Sequence, residues 1–508
     1  MSWSFPLYRA GLLAVCFFML LMLLPASPLP HEEMPAKNPA LELTDWWREQ
    51  AEQAESSGQP DIAAIYKARL EGYGLSRQPE APAGNRLTSP QPPADSFTAV
   101  QLLERVPLPT PAAPAPLAQY EPSSGAYLGM LGADRRVGYD VTKVEGVYGR
   151  RHAIYLAYVG WRKFQTDTSS YFPVRTAERV KQMGGALQIG WEPRYGLEDV
   201  KDDEYVRTFA REANASGIPV FLRYASEMNG AWVPWHGNPE LYIEKFRLIH
   251  DIMKEEAPNV VMVWSPNFAP ANTIDEYYPG DAYVDWVGFS LYATPLTNGK
   301  EQLAGSVVDT FAPLYAKYSR KPIMISEGAV AHTVLSTNTA YLSWAEGQLS
   351  YMYAVVPRMF PQVKAITYFN FSRAQAARSQ MDYVYDLGEN PLTDALYKRL
   401  IQSDWFLESV EHPASMPNYT YTPIQPEELH GGGEHRLLIH AALAGGAVPF
   451  AVELSRGERR LGISYQMPWE ITVNEAAGPD GSPGVEPLKI TAYNERMEPL
   501  AVQLLKES

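Results

Sequence analysis

The chain has 508 residues, too long for one ordinary domain and long enough for a large core with accessory parts. Apolar residues make up 46% of it and aromatic ones 12%, a globular and aromatic-rich balance. A formal net charge of −15 argues against a nucleic-acid partner, whose phosphates demand a basic face, and suits a neutral polymer such as a polysaccharide.

Ala10 to Leu24 is an uninterrupted apolar run behind Arg9. It reads as a secretion signal or, with Trp3 to Leu7, as an N-terminal membrane anchor within residues 1–30. Pro25-Ala26-Ser27 followed by Pro28 is a poor cleavage site, so removal and retention as a tether both stay open. Either way the bulk of the chain is expected to be exported, extracellular or at the cell surface. Cys16, the single cysteine, lies in this run, which leaves no disulfide and no thiolate metal site beyond it. Leu41 to Gly58 and Pro60 to Gly72 have helical composition with stop signals and predict a helical hairpin over 31–73. Residues 74–122 are dense in Pro and Ala and read as a semi-rigid spacer, at ~3 Å per residue where polyproline-like.

From Ala126 the pattern changes. Short apolar runs (Ala126–Leu131, Ile154–Trp161, Ala186–Trp191, Val220–Ala225, Val260–Ser265, Val284–Ser290, Ile323–Ser326 and Ala365–Phe369) alternate with amphipathic stretches. Those stretches predict helices over Thr176–Met183, Glu204–Ala215, Pro239–Glu256, Val307–Tyr318, Tyr341–Tyr353 and Leu392–Ile401. Near-continuous apolar strands imply a sheet covered on both faces. Eight of them in alternation with helices predict an α/β fold, a (β/α)8 TIM barrel over 123–405. An open doubly wound sheet is the alternative, but no Gly-rich phosphate loop follows the first strand. After Ser403 the helical signal stops. Arg436–Ala442, Phe450–Leu454, Leu461–Tyr465, Glu470–Val473, Leu488–Tyr493 and Leu500–Leu505 read as strands of a small β-sandwich over 406–508.

Two carboxylates stand out. Glu227 follows the fourth apolar run and Glu327 the seventh, each near a glycine. Barrel enzymes gather their reacting groups from the C-terminal ends of different strands. Cleavage of a glycosidic bond with retention needs two carboxyl groups, one protonated and one ionised. Arg223, four residues before Glu227, points the same way into the barrel, as a sugar contact or as an ion pair beneath the site. Trp232, Trp235, Trp264 and Trp286 are candidate walls for stacking on sugar rings, Trp286 being expected to be packing only, and Trp191 is a further candidate substrate contact. Glu192, Asn229 and Asn267 are candidates for hydroxyl recognition, and Phe369 would floor the sugar at the cleavage point. His236 and His332 read as loop histidines. No His, Asp and Glu arrangement has metal-ligand spacing, and the chemistry calls for no metal and no cofactor.

The segment Leu222-Arg223-Tyr224-Ala225-Ser226-Glu227-Met228-Asn229-Gly230-Ala231-Trp232-Val233-Pro234-Trp235 resembles the acid/base segment of glycoside hydrolase family 26, the β-mannanase-like family. Val263-Trp264-Ser265-Pro266-Asn267, the run from Tyr277 to Gly288 and Ile325-Ser326-Glu327-Gly328 extend the resemblance, the last to the nucleophile segment. The resemblance implies a retaining barrel with Glu227 as acid/base and Glu327 as nucleophile, and Tyr292 matches the family's tyrosine that hydrogen-bonds the nucleophile. Ser226 departs from the family's usual histidine, and Ser290 from an acidic residue, which bears on mannan specificity more than on catalysis.

The expectation is therefore an exported retaining endo-β-glycosidase acting on a β-mannan-like polysaccharide, monomeric by fold-level analogy. Its competitors are a glycosidase for another β-glucan or xylan, and a barrel that binds carbohydrate without cleaving it in cell-surface polysaccharide assembly.

Overall fold

The computed structural model describes residues 39–58, 96–108, 116–372, 382–475 and 486–505, apart from positions 165, 168, 432, 495 and 496. It also describes Pro60, Ala63, Tyr66, Lys67 and Leu70. The apolar segment read as signal or anchor lies outside the described residues, as do positions 74–95 and 109–115 of the expected spacer. Helix α1 spans Pro39–Ser56. Pro60, Ala63, Tyr66, Lys67 and Leu70 are helical too, with Ala63, Tyr66 and Leu70 buried at the spacing of one helix face. Tyr66 stacks on Phe450, ring centroids 5.7 Å apart, so this N-terminal part packs on the C-terminal unit. No helix among the described residues is long and apolar enough to cross a membrane.

The spacer reading fails at Phe97–Pro107, which is strand β1. It pairs antiparallel with Tyr419–Pro423 on one side and with Gly433–Leu443 on the other. The C-terminal unit is thus completed by a strand from ahead of the barrel, and the boundary expected at residue 406 does not hold.

Among the described residues, eight parallel strands then form the closed barrel: β2 (Ala126–Ala133), β3 (Ile154–Gly160), β4 (Ala186–Glu192), β5 (Val220–Tyr224), β6 (Val260–Trp264), β7 (Trp286–Ala293), β8 (Ile323–Val330) and β9 (Val363–Phe371). They pair in chain order, and β9 closes on β2 through a register running from Ala365↔Tyr127 to Phe371↔Ala133. Helices α2 (Val174–Gln182), α3 (Glu204–Ser216), α4 (Pro239–Glu256), α5 (Val307–Tyr318), α6 (Leu342–Ser350) and α7 (Pro391–Leu400) sheathe it. Their ends follow local chemistry. Asp203 caps α3 at the Val206 amide and Gly217 ends it at φ +62°, while Ser306 and Asp309 form a capping box on α5. The expected helix after β8 is broken by a π turn at Tyr351–Val355.

Side chains alternate across each strand, so neighbours face opposite layers. Tyr127, Ile154, Phe221, Trp286, Met324 and Ala365 fill the bottom of the barrel as one apolar cluster. Trp286 is there, closed by its indole N–H donating to the Gln119 carbonyl at 3.0 Å, in the packing role expected of it.

The longer strands after the barrel are β10 (Tyr419–Pro423), β11 (Gly433–Leu443), β12 (Ala451–Arg456), β13 (Arg459–Ser464), β14 (Trp469–Glu475), β15 (Leu488–Tyr493) and β16 (Pro499–Leu504). They make two antiparallel sheets, β10-β1-β11-β14 and β13-β12-β15-β16. Leu443, Ala492 and Ala501 pack together between them with Phe97 alongside. Deleting β1 strips two hydrogen-bonded ladders and exposes what Leu102 and Leu103 cover, at a cost of ~1.5–3 kcal/mol for each buried leucine alone. A chain beginning at residue 120 is therefore expected to melt well below one beginning at residue 39, or to precipitate. Equal unfolding temperatures for the two would overturn this account of β1.

Candidate active site

Two backbone distortions aim the paired glutamates into the barrel mouth. After β5 the chain enters left-handed conformation twice, at Ala225 (φ +47°) and Glu227 (φ +60°), each costing roughly 1–2 kcal/mol for a residue with a Cβ. Fixed hydrogen bonds hold the turn. Ala225 N–H donates to the Trp191 carbonyl at 2.9 Å and Glu227 N–H to the Ser265 carbonyl at 2.8 Å. The Trp235 indole N–H donates to the Ser226 carbonyl at 2.8 Å. Asn229 ties this loop to the next one, donating to the carbonyls of Asn267 and Pro270 and accepting from the Asn267 amide at 2.9 Å. The Glu227 carboxyl then accepts from the Trp232 indole at 2.7 Å and the Asn267 side-chain amide at 3.0 Å.

On β8 the device is a bulge. Ile325 pairs with Phe289 of β7, and Glu327 with the next residue, Ser290, so Ser326 is one extra residue in the register. Strict alternation from the inward-facing Met324 would send Glu327 to the helical layer; the extra residue turns it back inside. There one carboxylate oxygen, Oε2, accepts from Arg223 Nη1 at 2.9 Å and from the Tyr158 hydroxyl, while Oε1 accepts from the Tyr292 hydroxyl. Arg223 is fully buried, and its remaining donors go to Ser265 Oγ at 3.1 Å and Ser290 Oγ at 3.3 Å.

Burial, helped by the charge of Glu327, raises the Glu227 pKa against hydrogen bonds from Ser290, Trp232 and Asn267 that pull it down. Burial works against the Arg223 charge, but Glu327 more than offsets it and the guanidinium stays cationic. Glu192 ends β4 in the same mouth. Burial pushes its pKa up to about 7 despite Arg194, whose Nε donates to it at 3.2 Å, and Glu327 adds to the rise.

The structure brings Glu192, Arg223, Ser226, Glu227, Trp232, Asn267, Tyr292, Glu327 and Phe369 together at the mouth. Phe369 meets Tyr292 edge-on, with centroids 6.0 Å apart. Asn229 and Trp235 are buried and support the loops by the bonds given above. Two expected sugar contacts are elsewhere. Trp191 faces outward and lies flat on Phe209 of α3, centroids 3.9 Å apart, because its neighbour Glu192 takes the inner face. Trp264 likewise faces outward against Tyr278 and Tyr318, its indole N–H on the Tyr277 carbonyl at 3.1 Å. His236 and His332 bond to the backbone carbonyls of Met228 and Asp386, as loop histidines do. Tyr158 is a site residue the sequence reading missed. It was hidden inside an apolar run, and the signal was its parity with Gly160, two residues on, at the strand's end.

Residues 201–335 match the model of glycosyl hydrolase family 26. Endoglucanase H of Acetivibrio thermocellus is 31% identical over 208 residues, 38% of this chain and 23% of that protein. Beta-1,3-xylanase TXYA of a Vibrio species is 29% identical over 171 residues, 32% of this chain and 35% of that protein. Mannan endo-1,4-beta-mannosidase of Bacillus subtilis is 30% identical over 106 residues, 18% of this chain and 29% of that protein. The matched stretches thus span about a quarter to a third of each relative's length. The family match takes in both glutamates and the strands that carry them, so residues 201–335 are similar to glycosyl hydrolase family 26 where the candidate site is built.

Proposed function

We propose that the barrel is an endo-β-glycosidase that cleaves a β-linked polysaccharide with retention of configuration. The observation that carries this reading is the pair of buried carboxyls over the barrel mouth, one against a guanidinium and the other among indole, amide and hydroxyl donors. In the first step Glu327 attacks the anomeric carbon as Glu227 protonates the departing glycosidic oxygen. In the second, water attacks that carbon, gives its proton to Glu227 and releases the Glu327 carboxylate. The raised pKa of Glu227 keeps its proton available for the first step. Trp232 and Phe369 would face the sugar rings, and Glu192, protonated over much of the neutral range, would donate to a sugar hydroxyl. No step calls for a metal or a cofactor. The apolar run Ala10–Leu24 supports export, with a membrane tether if it is retained.

For the glycan, a β-mannan is the reading the family resemblance favours. Ser226 supports a second, a β-glucan or xylan. It places a short neutral hydroxyl where a mannanase has an imidazole, and the two longer matches above carry the names of an endoglucanase and a xylanase.

Reducing-end release should be measured on linear β-1,4-mannan, mixed-linkage β-glucan and β-xylan, with the chain from residue 39. We expect release from one of them, its loss in Glu327→Gln, and a fall of roughly 10²- to 10⁴-fold in Glu227→Gln. Glu327→Gln is the better control than Glu327→Ala. Both variants remove the counter-charge of Arg223, and losing one partner of a buried pair costs about 3–5 kcal/mol, but glutamine keeps a side-chain oxygen for the guanidinium to donate to where alanine leaves none. Release that persists in Glu327→Gln removes the nucleophile assignment. A folded protein that binds but cleaves none of the three points to the non-hydrolytic role.

Glu192 sets a pH dependence of stability. Its folded pKa is raised, so the native state holds a proton that the unfolded chain has released. Stability therefore falls as pH rises from 4.5 to about 7 and is level above, with a change on the order of 3 kcal/mol. Thermal unfolding of wild type and Glu192→Gln across that range should show a flatter profile for the variant; parallel profiles would refute the assignment.

A further inference from the structure

Tyr158 enters neither the family resemblance drawn from the sequence nor the two-step chemistry above, yet it touches the nucleophile candidate directly. Its hydroxyl donates to Oε2 of Glu327, the oxygen that Arg223 Nη1 also holds at 2.9 Å, whereas Oε1 accepts from Tyr292. The ring has little freedom. A Cβ at Gly190 of the neighbouring strand would stand 2.7 Å from its Cδ1, so the tyrosine occupies the room that this glycine leaves. On its other side the Phe369 ring meets it edge-on, centroids 6.4 Å apart and planes at 78°. Tyr158 is only partly buried, so it borders the cleft, but its polar end is committed to the carboxylate.

From this we infer that Tyr158 is a positioning residue that, with Arg223, fixes Oε2 of Glu327 as the spectator oxygen and leaves Oε1 to attack. This rests on the glycosidase reading and deepens it. When Oε1 bonds to the anomeric carbon, the bond to the departing oxygen breaks and that oxygen takes the Glu227 proton. Oε2 becomes the ester carbonyl, still held by both donors. When water displaces the ester, the electron pair returns to the carboxylate, and the same two donors receive the restored charge. A donor fixed by packing loses no order on meeting that charge, so its contribution falls on the rate of the chemical steps rather than on the binding of the sugar.

The test is Tyr158→Phe, which keeps the ring between Gly190 and Phe369, assayed on whichever of the three polysaccharides is cleaved fastest. The expected result is a kcat lowered roughly 10- to 100-fold, the scale of one hydrogen bond to a charged group, with KM close to wild type. Alongside it, denaturant unfolding of wild type, Tyr158→Phe, Glu327→Gln and the double variant reads the contact without any substrate. The loss of stability from Tyr158→Phe should shrink in the Glu327→Gln background. A raised KM with kcat intact would make Tyr158 a sugar contact and overturn the inference, and additive stability changes would overturn it too. If the wild type cleaves nothing while the coupling is present, the glycosidase reading fails and takes this role with it; if the wild type cleaves and kcat is unmoved, only the role of Tyr158 falls.

Discussion

The ion pair between Arg223 and Glu327, 2.9 Å apart with both side chains almost wholly withdrawn from solvent, sets the terms for the upper half of the barrel. Two charges taken out of water cost several kcal/mol each unless every remaining donor and lone pair is matched. The surrounding sequence answers that demand. Ser265 and Ser290 take the other guanidinium nitrogens, and Tyr158 and Tyr292 complete the carboxylate. Below them, Gln188 donates to the Ser326 carbonyl at 2.6 Å and accepts from Thr367 at 2.8 Å, so a second polar layer separates the pair from the apolar floor. A hydrocarbon filling would be as stable or more so. The pair is better understood as placement, since it fixes one carboxylate in one orientation above a rigid support.

That placement is paid for in the backbone. Ser326 breaks the alternation of β8, and Ala225 and Glu227 break the extended course after β5. Both departures lie beside the paired glutamates, and after β5 the strain is tolerated because Ser265, Trp191 and Asn229 over-determine the local path. Ser290 links the two halves. It accepts from Arg223 and also bonds Glu227, so this hydroxyl connects the ion pair to the second carboxyl. An acidic side chain there would add a second negative charge beside Glu227.

Much of this architecture was legible because parallel strands buried on both faces leave continuous apolar runs, and because the helices between them carry their own caps. The same continuity hid the facing of each side chain. A run without alternation does not say that Trp191 looks out and Glu192 in, or that Tyr158 looks in at all. The outward turn of Trp191 and Trp264 follows from parity counted against a neighbour already placed inside, and Glu192 and Ser265 supply those references. The bulge at Ser326 had no such reference, since nothing in Ile325-Ser326-Glu327-Gly328 announces an extra residue. Strand β1 escaped for another reason. Phe97–Pro107 sits amid Pro- and Ala-rich chain, and both of its partners lie beyond the barrel, so no local hairpin signal marks it.

The placement of β1 ties chain from ahead of the barrel to the accessory unit. A spacer would leave the barrel free to sit at any distance from the N-terminus. Instead β1 is an inner strand of the accessory unit, and the N-terminal Tyr66 stacks on that unit at Phe450. The accessory unit is in turn joined to the outer side of the barrel, where the Tyr351 hydroxyl donates to the Ala441 carbonyl at 3.0 Å and a Cβ at Gly347 would meet Val448 at 2.1 Å. A glycine in the middle of that helical stretch costs roughly 1 kcal/mol relative to alanine, so its presence marks a contact too close for any side chain. Strand β1 is therefore held on the wall behind β8 through the accessory sheets, and Glu327 is carried by a strand braced from outside as well as from within.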